Sequence, residues 1–267
     1  MKSIVVIFLF LFSPEVSAQC TIENTAFSEG ESLTYDLYYN WKFIWVRAGL
    51  AYFNTVRITY KGESAYKTSL VTKGTNRLDD FFVLRDTLLA YYSTDILPYY
   101  FRKGAREGKR YTVDEVFFYY DQIKPFLKQH YIDRNSEHHW NEKAIGGQCV
   151  YDMIGYLQRA RNFDPSDWQK GHTVPFLMAD GDDIKQCKLL FRGKGKYKMD
   201  NTGEQFQCLV LSFLEKEDNK YKEIVRFYVT DDNNHIPVRL DLYLNFGSAK
   251  AFLKSYKGVR NPITSRK

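Results

Sequence analysis

From Leu33 to Trp45 every odd position is apolar or aromatic: Leu33, Tyr35, Leu37, Tyr39, Trp41, Phe43 and Trp45. Between them stand Thr34, Asp36, Tyr38, Asn40, Lys42 and Ile44, a mostly polar set. A period of two is the mark of a half-buried β-strand, because successive side chains leave a strand on opposite faces. A strand this long and this aromatic needs a broad apolar surface to lie on, so the alternation predicts a sheet wide enough to cover it. The composition agrees: 21 Tyr, 20 Phe and 4 Trp bring the aromatic fraction to 17%, and aromatic side chains favour pleated, half-buried surfaces.

The rest of the chain supplies that surface. Arg47-Ala48-Gly49 reads as a bend or bulge in which Gly relieves backbone crowding. Strand-like segments follow at about 50–60, 66–72, 87–93, 99–103, 110–120 and 123–132, separated by turns such as Lys61-Gly62-Glu63. Pro125 inside the last of them argues for an edge strand. Asp79 to Asp86 is undecided between a strand and one helical turn. A polar loop over 134–147 leads into one helix near 149–161, where Val150, Met153, Ile154 and Leu157 recur at helical spacing. Arg159 and Arg161 suit its C-terminal end. Strands return at about 172–178, 184–199, 206–213, 221–230, 236–243 and 248–256.

About a dozen strands follow one another without crossover helices, so the expected fold is mainly β. It is a large curved antiparallel sheet or a barrel-like fold, because a wide sheet curls or closes to protect its edges. No Pro/Gly/Ser-rich linker divides it, and 19–267 is expected to form a single β-rich domain.

Residues 1–18 have the pattern of a cleaved secretory signal peptide: Lys2, an apolar run from Ile4 to Phe12, then Val16-Ser17-Ala18. The run is about half the ~20 residues that a membrane-spanning helix requires. Export to the periplasm is therefore expected, with lipidation of Cys20 a less favoured route because Gln19 suits it poorly. An oxidising compartment makes disulfides the default for the four cysteines. The expected pairs are Cys20 with Cys149 and Cys187 with Cys208, the last two lying on neighbouring strands. The net charge of +6 is compatible with anionic glycan or lipid headgroups, and too dispersed to argue for nucleic acid.

No pattern of residues carries a reaction. His138-His139 are adjacent and do not converge on one ion unaided. The pairs Asp79-Asp80, Asp182-Asp183 and Asp231-Asp232 match turn chemistry better than a glycosidase pair, since neighbours on a strand point opposite ways. There is no Gly-x-Ser-x-Gly elbow, no phosphate-binding Gly-rich loop and no His-Glu-x-x-His. No cofactor or metal is expected.

The ordered set Gly30-Glu31-Ser32-Leu33-Thr34-Tyr35, Asn40-Trp41, Ala48-Gly49, Arg85-Asp86, Leu97-Pro98 and Phe101-Arg102 resembles the exported family known as domain of unknown function 3108. Later matches are Tyr151-Asp152-Met153, Arg161-Asn162, Asp231-Asp232-Asn233, Ile236-Pro237-Val238 and Phe246-Gly247-Ser248, so the likeness spans about 27–258. The resemblance implies a β-rich secreted protein of Gram-negative bacteria, and it brings no activity and no catalytic residue.

The function expected from the residues is binding rather than catalysis. The ligand would be lipid-like or a glycan, or an envelope partner would take its place. Tyr35, Tyr39, Trp41 and Trp45 are the expected wall of the site, with Arg85 and Arg102 as anion contacts. One alternative is a glycan hydrolase whose carboxylates come from separate strands, and another is a structural or assembly factor of the cell envelope.

Overall fold

The computed structural model describes residues 20–41, 44–74, 84–107, 110–120, 124–133, 135–199, 202–244 and 247–267. The side chains of Trp41, Leu84, Arg85, Arg106, Glu107 and Arg110 lie outside that description, as do residues 1–19, where the signal peptide was expected, and the undecided stretch up to residue 83.

The first half of the chain is a run of strands: β1 (Ser32–Trp41), β2 (Ile44–Tyr60), β3 (Glu63–Gly74), β4 (Leu84–Ser93), β5 (Pro98–Glu107), β6 (Arg110–Tyr119), β7 (Phe126–Ile132) and β8 (His138–Ala144). The second half opens with the two-residue β9 (Val150–Tyr151) and the helix α1 (Met153–Ala160). It continues with β10 (Thr173–Asp180), β11 (Asp183–Lys198), β12 (Gln205–Glu217), β13 (Lys220–Thr230), β14 (Pro237–Leu244) and β15 (Gly247–Lys257).

All fifteen strands belong to one sheet, in the order β8 back to β1, then β15 back to β9. Each half is a meander, and the first and last strands join the halves along the register Tyr35↔Leu253. Every ladder is antiparallel except β9 against β10. The sheet curls until its two ends approach one another. On β7, Gln129 donates through Nε2 to the carbonyl of Gly181 (2.8 Å), in the β10–β11 turn. On β8, the Lys143 ammonium lies 3.1 Å from Asp183. Side chains, rather than a further ladder, bring the ends together, so the fold is an unclosed barrel.

Four features depart from the sequence reading, the last being the start of the helix, which is Met153 and not a residue before Val150. The segment 138–144, read as polar loop, is strand β8, whose burial alternates residue by residue. It is an edge strand, and charged side chains on an edge discourage pairing with other chains. Pro125 precedes β7 rather than interrupting it. The aromatic alternation that starts at Leu33 does not run unbroken to Trp45, because β1 ends at Trp41 and Trp45 stands on β2.

The bend or bulge expected over Arg47-Ala48-Gly49 is a bulge. Leu37 faces Gly49 but Tyr38 faces Arg47, so Ala48 is the extra residue. An inserted residue exchanges the two faces of the strand beyond it. Trp45 therefore leaves the face that carries Leu33 and Tyr35. Gly49 itself permits close approach to β3, where a Cβ would lie 2.2 Å from the Lys73 carbonyl oxygen.

The core fills the hollow of the curl with Phe27, Leu33, Tyr35, Phe53, Tyr92, Phe101, Phe206 and Ile236 among others. Helix α1 lies in the same hollow. With only eight residues it is marginal alone, and packing must hold it. Asp152 caps it by accepting from the Gly155 backbone N–H at 2.7 Å. That cap also explains why Val150 and Tyr151 are not helical, and they pair instead with Leu177 and Met178.

Candidate ligand-binding cavity

Helix α1 is anchored at both ends. Before it, Cys149 forms a disulfide with Cys20, closing a sequence separation of 129 residues. After it, Arg161 makes a two-pronged contact with Glu31, Nη1 to Oε1 at 2.6 Å and Nη2 to Oε2 at 2.8 Å. Both side chains are buried, 2% and 0% exposed. Arg161 also donates to the Asn234 carbonyl (3.0 Å) and to Gln158 Oε1 (2.9 Å). Gln158 reaches Thr55 Oγ1 on β2 (3.1 Å), and Thr55 shares a hydrogen bond with Thr68 on β3. One buried polar chain thus ties the helix to β1, β2 and β3.

The helix is held against that half of the sheet and touches the other half through Tyr156, which stacks on Phe176 of β10. Between them lies a cavity of about 350 Å³. One side is helical: Met153, Ile154, Tyr156, Leu157 and Ala160. The other is sheet: Phe176 and Met178 from β10, Leu189 from β11, Leu209, Leu211 and Phe213 from β12, Val225 and Phe227 from β13, and Leu240, Leu242 and Leu244 from β14. Leu70 and Leu88 complete it from β3 and β4. Met153 and Leu244 are 43% and 47% exposed, which puts the mouth of the cavity at the N-terminal end of α1 and the tip of β14.

The lining has almost no charge. Among the described residues it contains no carboxylate; Arg161 is its charged group, and His235 and Tyr156 are its other titratable ones. Arg161 is already matched by Glu31. Burial pulls His235 below the usual imidazole range, and its Nδ1 lies 2.6 Å from the Arg161 carbonyl. Tyr156 stacks on Phe176 with ring centroids 3.4 Å apart. Its hydroxyl is buried and has no hydrogen-bond partner among the described residues, and burial raises its pKa far above the phenol range. At the helix N-terminus, burial pushes the Asp152 carboxyl up to about 7, against the opposing pull of the backbone N–H groups it caps.

Three of the four expected wall residues are not in this lining. Tyr35 is buried in the core, its hydroxyl donating to the Pro237 carbonyl at 2.9 Å. Trp45 is 39% exposed on the other face, with the Lys250 ammonium 4.3 Å from its ring. Tyr39 sits beside the β14–β15 hairpin, its hydroxyl near Gly247. None of the three is among the cavity residues, and the side chains of Trp41 and Arg85 fall outside the described ones. Arg102 serves its own sheet, donating to the Tyr111 hydroxyl (2.7 Å) and lying 3.7 Å from Glu115. Glu115 also accepts from Tyr100 (2.5 Å) and contacts His130 Nδ1 (2.7 Å), whose Nε2 meets His138 Nδ1 at 3.0 Å. His138 and His139 diverge, as the sequence suggested. His139 contacts Asp133, and ligand atoms of Asp133, Glu137 and His139 lie within 4.8 Å of one another, a three-ligand set at the β7–β8 turn.

The cysteine pairing needs one correction. Cys20 and Cys149 are bonded, but Cys187 and Cys208 are separate buried thiols. They do lie on adjacent strands, yet Cys187 faces Glu215 while Cys208 faces Gly195, eight residues further along β11. At ~3.3 Å per residue this is roughly 26 Å, far beyond the ~7 Å a disulfide can span.

The cavity residues had a signal in the sequence. Leu240-Asp241-Leu242 alternates as the aromatic strand does, and Cys208-Leu209-Val210-Leu211 is a continuous apolar run. What alternation does not reveal is whether the apolar face meets a partner or leaves a space.

An unclosed, β-barrel-like protein with a helix in its hollow is the class that this fold and cavity define. The chain belongs to the family described as Protein of unknown function (DUF3108), whose profile matches residues 34–254. Among solved structures it is similar to a β-barrel-like protein of the DUF1849 family from Brucella abortus, at 12% identity and a TM-score of 0.55. That match covers 87% of this chain and 98% of the other. It also aligns with a Bacteroides fragilis protein described as exported and of YmcC-like fold, at 10% identity, TM-score 0.37, and coverage of 89% and 100%. No functionally curated protein matches the sequence. Among the described residues no helix is long and apolar enough to cross a membrane.

Proposed function

We propose that this is an exported, non-catalytic protein that binds a lipid-like ligand, holding an apolar chain between α1 and strands β10–β14. The observation that carries the reading is the cavity itself: about 350 Å³, lined by aliphatic and aromatic side chains and with no carboxylate among the described ones. Its size falls in the ~300–1,000 Å³ range of small-molecule sites. A glycan would leave its many hydroxyls unpaired there, at a cost of ~1–3 kcal/mol each. An acyl chain loses nothing by the same transfer and gains ~0.8 kcal/mol per buried methylene. Tyr156 contributes its ring to the lining, stacked on Phe176. The signal-like N-terminus and the Cys20–Cys149 bond support an oxidising compartment.

The test is displacement of a fluorescent fatty acid by saturated fatty acids of increasing length. Affinity is expected to rise about fourfold per methylene, the equivalent of ~0.8 kcal/mol, and then level off as the cavity fills. Ala160→Trp, which builds into the cavity, is expected to weaken binding at least tenfold without lowering the melting temperature. Affinity independent of chain length, or unchanged in the variant, sinks the proposal.

A further inference from the structure

Four large apolar side chains that the core does not use cluster at one end of the barrel. Ile44 and Trp45, at the start of β2, are 66% and 39% exposed; Tyr243 and Leu244, at the end of β14, are 37% and 47% exposed. They belong to neighbouring hairpins. β1 lies between β2 and β15, with Asn40 opposite Trp45 and Tyr39 opposite Ala249, and β15 turns back into β14 at Leu244↔Gly247. Leu244 also lines the cavity, so this apolar edge is the lip of its mouth.

Among the described residues, the charges on the outer wall from the lip downward have one sign in excess. Lys250 lies over the Trp45 ring. Arg47 and Lys254 both reach the same carboxylate, Asp36. Arg192 and Arg226 share Glu223, with the Arg226 guanidinium also 5.9 Å from the Tyr243 ring. Arg239 pairs with Asp241, the residue opposite Lys250. Each acid is thus shared by two basic side chains or already matched, and the surplus is positive.

Protruding aliphatic tips, a Trp and a Tyr with polar edges, and a surrounding cationic surplus are together the composition of a membrane-interface anchor. We propose that this lip docks on a bilayer rich in anionic phospholipid, with Ile44 and Leu244 entering the acyl boundary and the basic side chains meeting the headgroups. The cavity mouth then opens onto the phase that contains acyl chains, a consequence that rests on the ligand reading above.

Co-sedimentation of the full chain with phosphatidylglycerol-containing vesicles and with pure phosphatidylcholine vesicles tests the docking. Wild-type protein is expected to pellet with the anionic vesicles at least tenfold better, and to be released as salt rises. Ile44→Glu combined with Trp45→Ser, both outside the cavity lining, is expected to lower vesicle binding at least tenfold while fatty-acid displacement stays unchanged. No binding to either vesicle, or equal binding by the variant, overturns the proposal. So does a dimer in sedimentation velocity without vesicles that the variant abolishes, because a second copy then covers the lip. If vesicle binding follows expectation while fatty acids fail to bind, the ligand reading falls and the docking stands.

Discussion

Replacing Arg161 by Met removes the charge that the interior relies on at the end of α1. Glu31 is 0% exposed and receives both its short contacts from that guanidinium, at 2.6 and 2.8 Å. Without Arg161 a carboxylate stands in the core uncompensated, a loss of about 3–5 kcal/mol for buried pairs. The Asn234 carbonyl and Gln158 Oε1 lose a donor as well, adding about 1 kcal/mol or more. The expected total of about 4–6 kcal/mol is a large part of the ~5–15 kcal/mol by which domains are stable. Pairing it with Glu31→Leu removes the stranded charge, and the double variant is expected within about 2 kcal/mol of wild type, since apolar replacements of buried pairs are often near neutral. Arg161→Lys is expected to fall between, because an ammonium cannot reproduce the fork. Urea unfolding followed by far-UV circular dichroism at pH 7 measures wild type, these three variants and the Glu31→Leu single. A cost below about 1 kcal/mol for Arg161→Met, or a double variant as unstable as the sum of the singles, refutes the claim that this pair orders the helix.

Two further outcomes are expected. Asp152 has its pKa raised by burial to about 7, against about 3.9 in an unfolded chain. The unfolded state therefore gives up the proton first, and this residue withdraws stability as pH rises from about 4 to 7, with the full penalty above 7 and none below 4. Asp152→Asn keeps a capping oxygen and removes the titration, so its stability relative to wild type is expected to rise across that window by up to about 4 kcal/mol; an equal offset at pH 4 and pH 8 refutes this. For the cysteines, alkylation of the unfolded, non-reduced chain is expected to label Cys187 and Cys208 and to leave a linked Cys20–Cys149 peptide. In the folded protein both thiols are expected to react slowly, since burial pushes each up to about 12; recovery of a linked Cys187–Cys208 peptide refutes the assignment.

Local chemistry was legible wherever it acts over a few residues. The alternation at Leu33, Tyr35 and Leu37, the bulge near Gly49 and a helix near 149–161 follow from side-chain period and backbone crowding, but the helix was expected to begin before Val150, whereas the Asp152 cap starts it at Met153. Strand β8 was missed because His138 to Ala144 is mostly polar, with Trp140 and Ala144 its apolar side chains, too few to set a hydrophobic period. Trp45 was placed on the wrong face because one inserted residue inverts everything beyond it.

The residues by themselves determined that the chain is a wide antiparallel sheet with a helix near 149–161, since the period of two of most strands and their turns are written locally. Three matters were left to the tertiary structure: which strands become neighbours, which cysteines come within reach, and where an apolar face goes uncovered. The reason is distance. Whether Leu211 and Leu242 meet a partner or border a space depends on where α1 is held, and that position is set by Arg161 and Glu31, 130 residues apart in the chain.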